Sequence, residues 1–221
     1  MILLETHVHT LYSPDSLTTP EMVLRLCRKK NIERVIITDH NTIAGALIAQ
    51  QLDPQRVIVG EEIMTTKGEI LAFFVKEEIP PLLTPQETIQ RLQAQDSFIS
   101  VSHPFDKLRS GAWELEDLLA ITPFVDAVEI FNSRCMLPSY NKAAQSFASQ
   151  HNLLGTAGSD AHAAFEIGRA LMLLPDFQNA AQFKQAISQA EYQLHLSSPL
   201  VHLYSRYAAW CKKRNSKFSI L

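Results

Sequence analysis

Apolar positions along the chain fall into short runs separated by stretches of helical spacing, and a polar cluster follows almost every run. Residues 1–4 are apolar and lead into Thr6-His7-Val8-His9-Thr10. On an extended strand, side chains alternate between faces, so His7 and His9 would project from the same face. Such a pair suits metal chelation, or a polar strand end whose rings are satisfied by hydrogen bonds; this stretch alone supports both. Thr19-Pro20-Glu21 predicts a helix start, with apolar Met22, Val23, Leu26 and Cys27 at helical spacing and Arg28-Lys29-Lys30 at the end. Residues 34–38 predict a buried strand that runs into Asp39-His40-Asn41.

The pattern repeats. A helix is predicted over 42–51, a strand over 56–59 ending in Gly60-Glu61-Glu62, and a strand over 69–75 paired with it through a turn at Lys67-Gly68. Thr84-Pro85-Gln86-Glu87 opens a helix to about residue 95, and the strand over 98–101 ends in Ser102-His103-Pro104. A helix over 113–120, a strand over 127–131 ending at Asn132, a helix over 140–151 and a strand over 153–158 follow. The last of these ends in Ser159-Asp160-Ala161-His162. A strand over 169–174, a helix over 179–190 and an amphipathic helix over 201–213 complete the chain. Strands alternating with helices imply a parallel sheet, closed or open, in one domain spanning 1–221. Sites in such folds gather at the C-terminal ends of the strands, where these polar clusters fall.

His7, His9, Asp15, His40, Glu62, His103, Asp160 and His162 all lie at or just after predicted strand ends. Imidazoles with carboxylates, and no cysteine among them, suit zinc, manganese or iron rather than a structural thiolate site. One ion would be over-supplied. Two or three divalent ions sharing a bridging carboxylate fit better, and such sites hold the attacking and leaving oxygens of a phosphoryl transfer. His151, His195 and His202 lie in helix or tail contexts and are assigned no role.

The run His7-Val8-His9-Thr10, then Asp15, Thr38-Asp39-His40-Asn41, Gly60-Glu61-Glu62, Ser102-His103-Pro104 and Ser159-Asp160-Ala161-His162 resembles the PHP (polymerase and histidinol phosphatase) superfamily. The resemblance covers nearly the whole chain in motif order. It implies a distorted (β/α)7 barrel, two or three metal ions at the barrel's C-terminal mouth, and hydrolysis of a phosphate ester. Carried over residue by residue, it implies that His7, His9, Glu62 and Asp160 hold one ion. Glu62 would bridge to a second ion bound by His103, and Asp15, His40 and His162 would surround a third. Asp39 would orient a ligand histidine. One departure is Glu69, which stands where many members carry a histidine and is a candidate oxygen ligand of the second ion. Lys107, Arg109, Arg134 and Arg169 are candidates to stabilise charge on phosphoryl oxygens, with Arg109 foremost. Asn132 is a candidate to bind substrate or close a turn.

Composition sharpens this picture by exclusion. With 221 residues, 46% hydrophobic and 19% charged, the chain has the balance of an ordinary globular protein. A formal net charge of -3 argues against a duplex nucleic-acid surface. The basic cluster Lys212-Lys213-Arg214 with Lys217 reads as a solvated tail. Cys27, Cys135 and Cys211 read as reduced structural thiols. The chain enters a strand at once and no run approaches ~18 apolar residues, so a cytoplasmic protein without a membrane segment is expected. The expected activity is a metal-dependent phosphomonoesterase acting on a small phosphorylated metabolite or nucleotide. The alternatives are a phosphodiesterase or exonuclease on short oligonucleotides, or a metal-binding sensor or interaction module without turnover.

Overall fold

The computed structural model describes residues 1–218, with side chains as far as Arg214; the side chain of Lys217 lies outside the described residues. Strands β1 (Ile2–Val8), β2 (Arg34–Ile37) and β3 (Val57–Met64) run parallel, β4 (Glu69–Phe73) is reversed, and β5 (Phe98–Val101), β6 (Ala127–Asn132) and β7 (Leu154–Gly158) resume the original direction. The sheet order is β7-β6-β5-β4-β3-β2-β1, continued by β8 (Ala170–Leu174) and β9 (Glu191–Leu194). β8 pairs antiparallel with the lower half of β1, at Ile2, Leu3 and Leu4. The upper half of β1 instead meets the chain leaving β7: His9 N donates to Ala161 O at 2.9 Å and Ala161 N to His7 O at 3.2 Å. That junction nearly closes the sheet, giving the distorted seven-stranded barrel expected from the motifs. Helices α1 (Pro20–Lys29), α2 (Ala44–Leu52), α3 (Pro85–Gln93), α4 (Leu115–Ile121), α5 (Pro138–Gln150), α6 (Ala180–Ala186) and α7 (Val201–Phe218) complete the chain. No helix among the described residues is long and apolar enough to cross a membrane.

The helix starts follow their sequence signals. Thr19 Oγ1 accepts from Met22 N, and Thr84 with Glu87 forms a reciprocal capping box. Strand alternation then divides the barrel into layers. Ile36, Ile58, Leu71, Phe73, Phe98 and Phe183 form an apolar plug at the base, where the Phe98 and Phe183 rings meet edge to face at 4.7 Å. Their alternates, such as Val35, Val57, Ile70, Ile99 and Val128, pack with the helices in a second core. Going up β3, Ile58, Gly60 and Glu62 share the inner face, while Val59, Glu61 and Ile63 share the outer one. The two adjacent glutamates therefore part company: Glu62 enters the mouth of the barrel and Glu61 is buried on the other side, accepting from Ile79 N at 3.0 Å.

Four boundaries differ from the sequence-based expectation. β3 runs on through Glu61 and Glu62 to Met64, because β4 pairs with this whole stretch, Glu61 opposite Ala72 and Glu62 opposite Leu71. The predicted helix over 113–120 begins at Leu115, since Trp113 is tucked into the core with its indole N–H donating to Glu69 O at 3.0 Å. The predicted helix over 179–190 ends at Ala186, passes through a 3-10 turn and yields to β9, a half-exposed edge strand with no apolar run to announce it. The C-terminal helix extends to Phe218, past the predicted end at 213. The three cysteines are free, with Cys27 and Cys135 buried.

Glu61 yields a stability prediction. Burial raises its carboxyl pKa to about 8, and one of its oxygens has no hydrogen-bond partner. A carboxyl whose pKa is raised by folding contributes fully below its unfolded value, and that contribution is lost as pH rises through the folded value. Replacing Glu61 by Gln should therefore raise the melting temperature relative to the parent at about pH 8, with the advantage vanishing at about pH 4. Thermal unfolding across that range reads the difference.

Candidate metal centre

Each side chain of the site is delivered by a strand end, and β1 needs a device to do it. Its register shifts between Glu5 and Val8. Leu4 points into the apolar plug, and the irregularity re-aims the strand so that His7 and His9 also point inward, at the mouth. Glu5 anchors the shift: it accepts from Ser159 N at 2.9 Å, Gly168 N at 2.9 Å and Ser159 Oγ. Gly158 lies against this strand so closely that a Cβ there would run into that of His7. Asp160 and His103 follow with left-handed backbone, φ 52° and 21°; aspartate tolerates this region better than most residues.

The hydrogen bonds fix which ring nitrogens face the centre. Asp39 Oδ1 can only accept, so Ser13 Oγ donates to it at 2.7 Å and must accept from His9 Nδ1 at 2.9 Å. His7 Nδ1 is engaged in the same way by Glu129 Oε1 at 2.8 Å. Both imidazoles then turn Nε2 toward one point, 3.1 Å apart. Glu62 Oε2 lies 3.4 Å from His7 Nε2 and 3.3 Å from His9 Nε2, and Asp160 Oδ1 lies 3.5 and 3.3 Å from the same atoms. Both carboxylate oxygens are buried without a hydrogen-bond partner. Two imidazole nitrogens and two carboxylate oxygens thus converge in a closed space, an arrangement suited to holding a cation.

The same logic repeats on either side. His162 Nδ1 donates to Asp160 O at 2.9 Å, leaving Nε2 facing Asp15 Oδ2 at 3.1 Å. Burial, with His9 and Arg134 nearby, pushes the His162 pKa down to about 3. On the other side Glu62 spans the cluster. Its Oε1 accepts from Ser102 Oγ at 2.7 Å and lies 3.2 Å from His103 Nε2, while Oε2 is 3.0 Å from His40 Nδ1. Glu69 enters from the first residue of the reversed strand β4, with Oε2 3.5 Å from His103 Nε2 and Oε1 3.7 Å from His40 Nδ1. Three ligand groups result: His7–His9–Glu62, His9–His40–His162 and His40–Glu62–Glu69, each with its ligand atoms within 4.8 Å of one another.

The electrostatics agree with a demand for positive charge. Burial opposes protonation of His7, yet Asp160, Glu62 and Glu129 hold its pKa well above the usual histidine value. His40 is raised to about 10 by Glu62, Glu69 and Asp15 against the same burial cost. Glu69 is raised by burial and by the neighbouring Glu62 charge. Divalent ions relieve all of these at once.

The remaining expected residues are placed as follows. Asp39 does not face the cluster; it accepts from Thr10 N and Thr10 Oγ1, both at 2.6 Å, and from Ser13. Arg109 lines the mouth, pairs with Asp160 and with Asp106 at 3.3 Å, and leaves Nη2 without a partner. Arg134 also lines the mouth but is bound to Val201 O at 3.1 Å and Ser205 Oγ at 2.8 Å, with Glu166 Oε2 3.4 Å from its Nε. Arg169 is not brought to the mouth, because its guanidinium caps Leu196 O. Lys107 is exposed. Asn132 is buried and donates to Glu129 at 3.0 Å and Asp160 at 3.1 Å. Two sequence expectations change: Lys212 is not a free tail charge but reaches the carbonyls of Leu11 and Ser13, and His202 lines the mouth.

Sequence reasoning missed Ser13, Glu129, Ser102, Glu5 and Glu166. Glu129 had a signal, a carboxylate at mid-strand in an otherwise apolar run; Ser13, in a polar loop, and Ser102, beside His103, had none.

Residues 5–102 match the PHP domain family and residues 138–192 the family described as PHP-associated. The uncharacterized protein MJ1587 of Methanocaldococcus jannaschii is 37% identical over 143 residues, which is 58% of this chain and 81% of that protein. The chain belongs to the PHP family. Among solved structures, a two-domain Bacteroides vulgatus protein containing a predicted PHP-like metal-dependent phosphoesterase superposes with a TM-score of 0.71 at 16% identity, over 88% of this chain and 65% of that one. The lesion-specific endonuclease PfuEndoQ of Pyrococcus furiosus superposes with a TM-score of 0.60 at 15% identity, over 90% and 59%. The fold of this chain is thus shared with a protein containing a predicted phosphoesterase and with an endonuclease.

Replacing Ser13 by Ala should weaken metal binding about 10–100-fold by releasing the His9 ring from Asp39, while leaving the fold intact. Chelator competition alongside circular dichroism measures both.

Proposed function

We propose that this chain is a metal-dependent phosphoesterase that hydrolyses phosphomonoesters of small metabolites or nucleotides. The observation that carries the reading is the buried convergence of His7 Nε2, His9 Nε2, Glu62 Oε2 and Asp160 Oδ1. The donor set of nitrogen and carboxylate oxygen fits zinc, manganese or iron. His7, His9, Glu62 and Asp160 would hold one ion, Glu62, His103 and Glu69 a second, and Asp15, His40 and His162 a third. His40 also lies against Glu62 and Glu69, so it stands between the last two groups. Bound divalent ions supply Lewis acidity toward the phosphoryl group and lower the pKa of water.

The chain's own residues then have distinct tasks. Arg109 lines the mouth and supplies positive charge toward a phosphoryl group, while its pairing with Asp160 and Asp106 fixes the orientation of its guanidinium. Glu129 and the Asp39–Ser13 pair orient His7 and His9. Arg134 acts by holding α7 against the mouth, and Asn132 holds Asp160. Arg169 positions the β9 connection. The cavity at the mouth is about 320 Å³, which suits a mononucleotide-sized substrate and supports a monoester over a polymer. The endonuclease with this architecture keeps short oligonucleotides as the second reading.

Protein loaded with manganese, zinc or iron should release phosphate from a panel of small phosphomonoesters faster than it cleaves oligonucleotides. Preferential oligonucleotide cleavage would select the second reading, and no turnover of either would leave a metal-binding module without catalysis. His9→Ala and Asp160→Ala should each lower kcat/KM by at least about 100-fold and reduce bound metal; full metal content by elemental analysis in both would contradict the ligand assignment.

A further inference from the structure

The mouth has two walls of different chemistry. One is the ligand cluster. The other is built by the segment Leu108-Arg109-Ser110 and by the inner face of α7, where His202 and Ser205 sit one helical turn apart. α7 is fastened there at both ends of its inner face: Arg134 donates to Val201 O and Ser205 Oγ, and Lys212 reaches Leu11 O and Ser13 O. The wall is therefore positioned, not a helix resting by chance near an opening.

Its hydrogen-bonding capacity is defined by the contacts it already makes. Arg134 O can only accept, so His202 donates its Nε2–H to it at 3.0 Å. That bond orients the ring and leaves Nδ1 as an acceptor, with no protein partner among the described residues. Ser205 Oγ accepts from Arg134 Nη2 at 2.8 Å, and its own hydrogen has only the carbonyl of His202 at 3.4 Å, a long contact that a ligand can replace. One acceptor and one donor thus remain available on two residues that line the same wall of the mouth. A hydroxyl both donates and accepts, and it matches this pair; an aryl or alkyl group would leave both unpaired.

We propose that His202 and Ser205 form a specificity wall that recognises a hydroxyl on the leaving group, so that the preferred substrates are phosphate esters of hydroxylated molecules such as sugars and polyols. This rests on the phosphoesterase reading above and assigns α7 the choice among phosphomonoesters. A cavity of about 320 Å³ is large enough for a pentose phosphate.

The test compares ribose 5-phosphate with phenyl phosphate on metal-loaded enzyme. The parent should prefer ribose 5-phosphate. His202→Ala should reduce the ratio of the two kcat/KM values about tenfold or more, mainly through KM for ribose 5-phosphate, and Ser205→Ala should act in the same direction. His202→Asn, whose amide oxygen can occupy the position of Nδ1, should restore part of the ratio. Melting temperature and metal content read out any structural damage independently. An unchanged ratio in His202→Ala, or an equal loss on both substrates, would overturn the specificity wall while leaving the phosphoesterase reading in place. Absence of turnover on both substrates in the parent would instead overturn the phosphoesterase reading, and the specificity wall with it.

Discussion

Four lone pairs aimed at one another inside a barrel are a costly arrangement, and much of this molecule is organised to maintain it. Glu129 and Ser13 occupy the outer nitrogens of His7 and His9 and leave the inner ones facing Glu62 and Asp160. The partners of those partners are fixed in turn. Asp39 accepts from Ser13 and twice from Thr10, and Asn132 bridges Glu129 and Asp160. Polar groups at the mouth are held rigid by hydrogen bonds, and the apolar plug below them, with Phe73, Phe98 and Phe183, keeps water from entering through the base of the barrel. The negative charge gathered at the centre would favour a cation there.

Closure of the sheet belongs to the same design. β1 is shared between two partners, β8 along its apolar lower half and the chain after β7 along its upper half. The second contact carries Asp160 and His162 to the side of His7 and His9. Glu5, buried and held by the backbone of Ser159 and Gly168, stands at this junction.

What could be read from the sequence was whatever lies on a strand and its immediate end. His7 and His9 are separated by one residue on an extended segment, and His40, His103, Asp160 and His162 follow apolar runs, so their convergence depends only on period and strand order. The choice of Glu62 over Glu61 rested on motif position; in the structure it is a consequence of strand alternation, with Glu61 on the outer face beside Ile79. Other features had no local signature. The irregularity that turns His7 inward depends on the register between β1 and β2, and the entry of Glu69 depends on β4 being reversed. The basic cluster at the end of α7 reads as a solvated tail because nothing in an amphipathic helix says what covers its inner face; only tertiary packing sends Lys212 to Leu11 and His202 to Arg134. Arg169 follows the last motif in sequence, yet the path of β8 takes its guanidinium away to Leu196.

The central claim is that the facing acceptors at the barrel mouth are satisfied by metal. Thermal unfolding of chelator-stripped protein, titrated with manganese or zinc and paired with elemental analysis, tests it most directly. The account predicts a melting temperature that rises with added ion and saturates at a whole-number metal content per chain. A melting temperature indifferent to both ions, with no metal retained after dialysis, would contradict it.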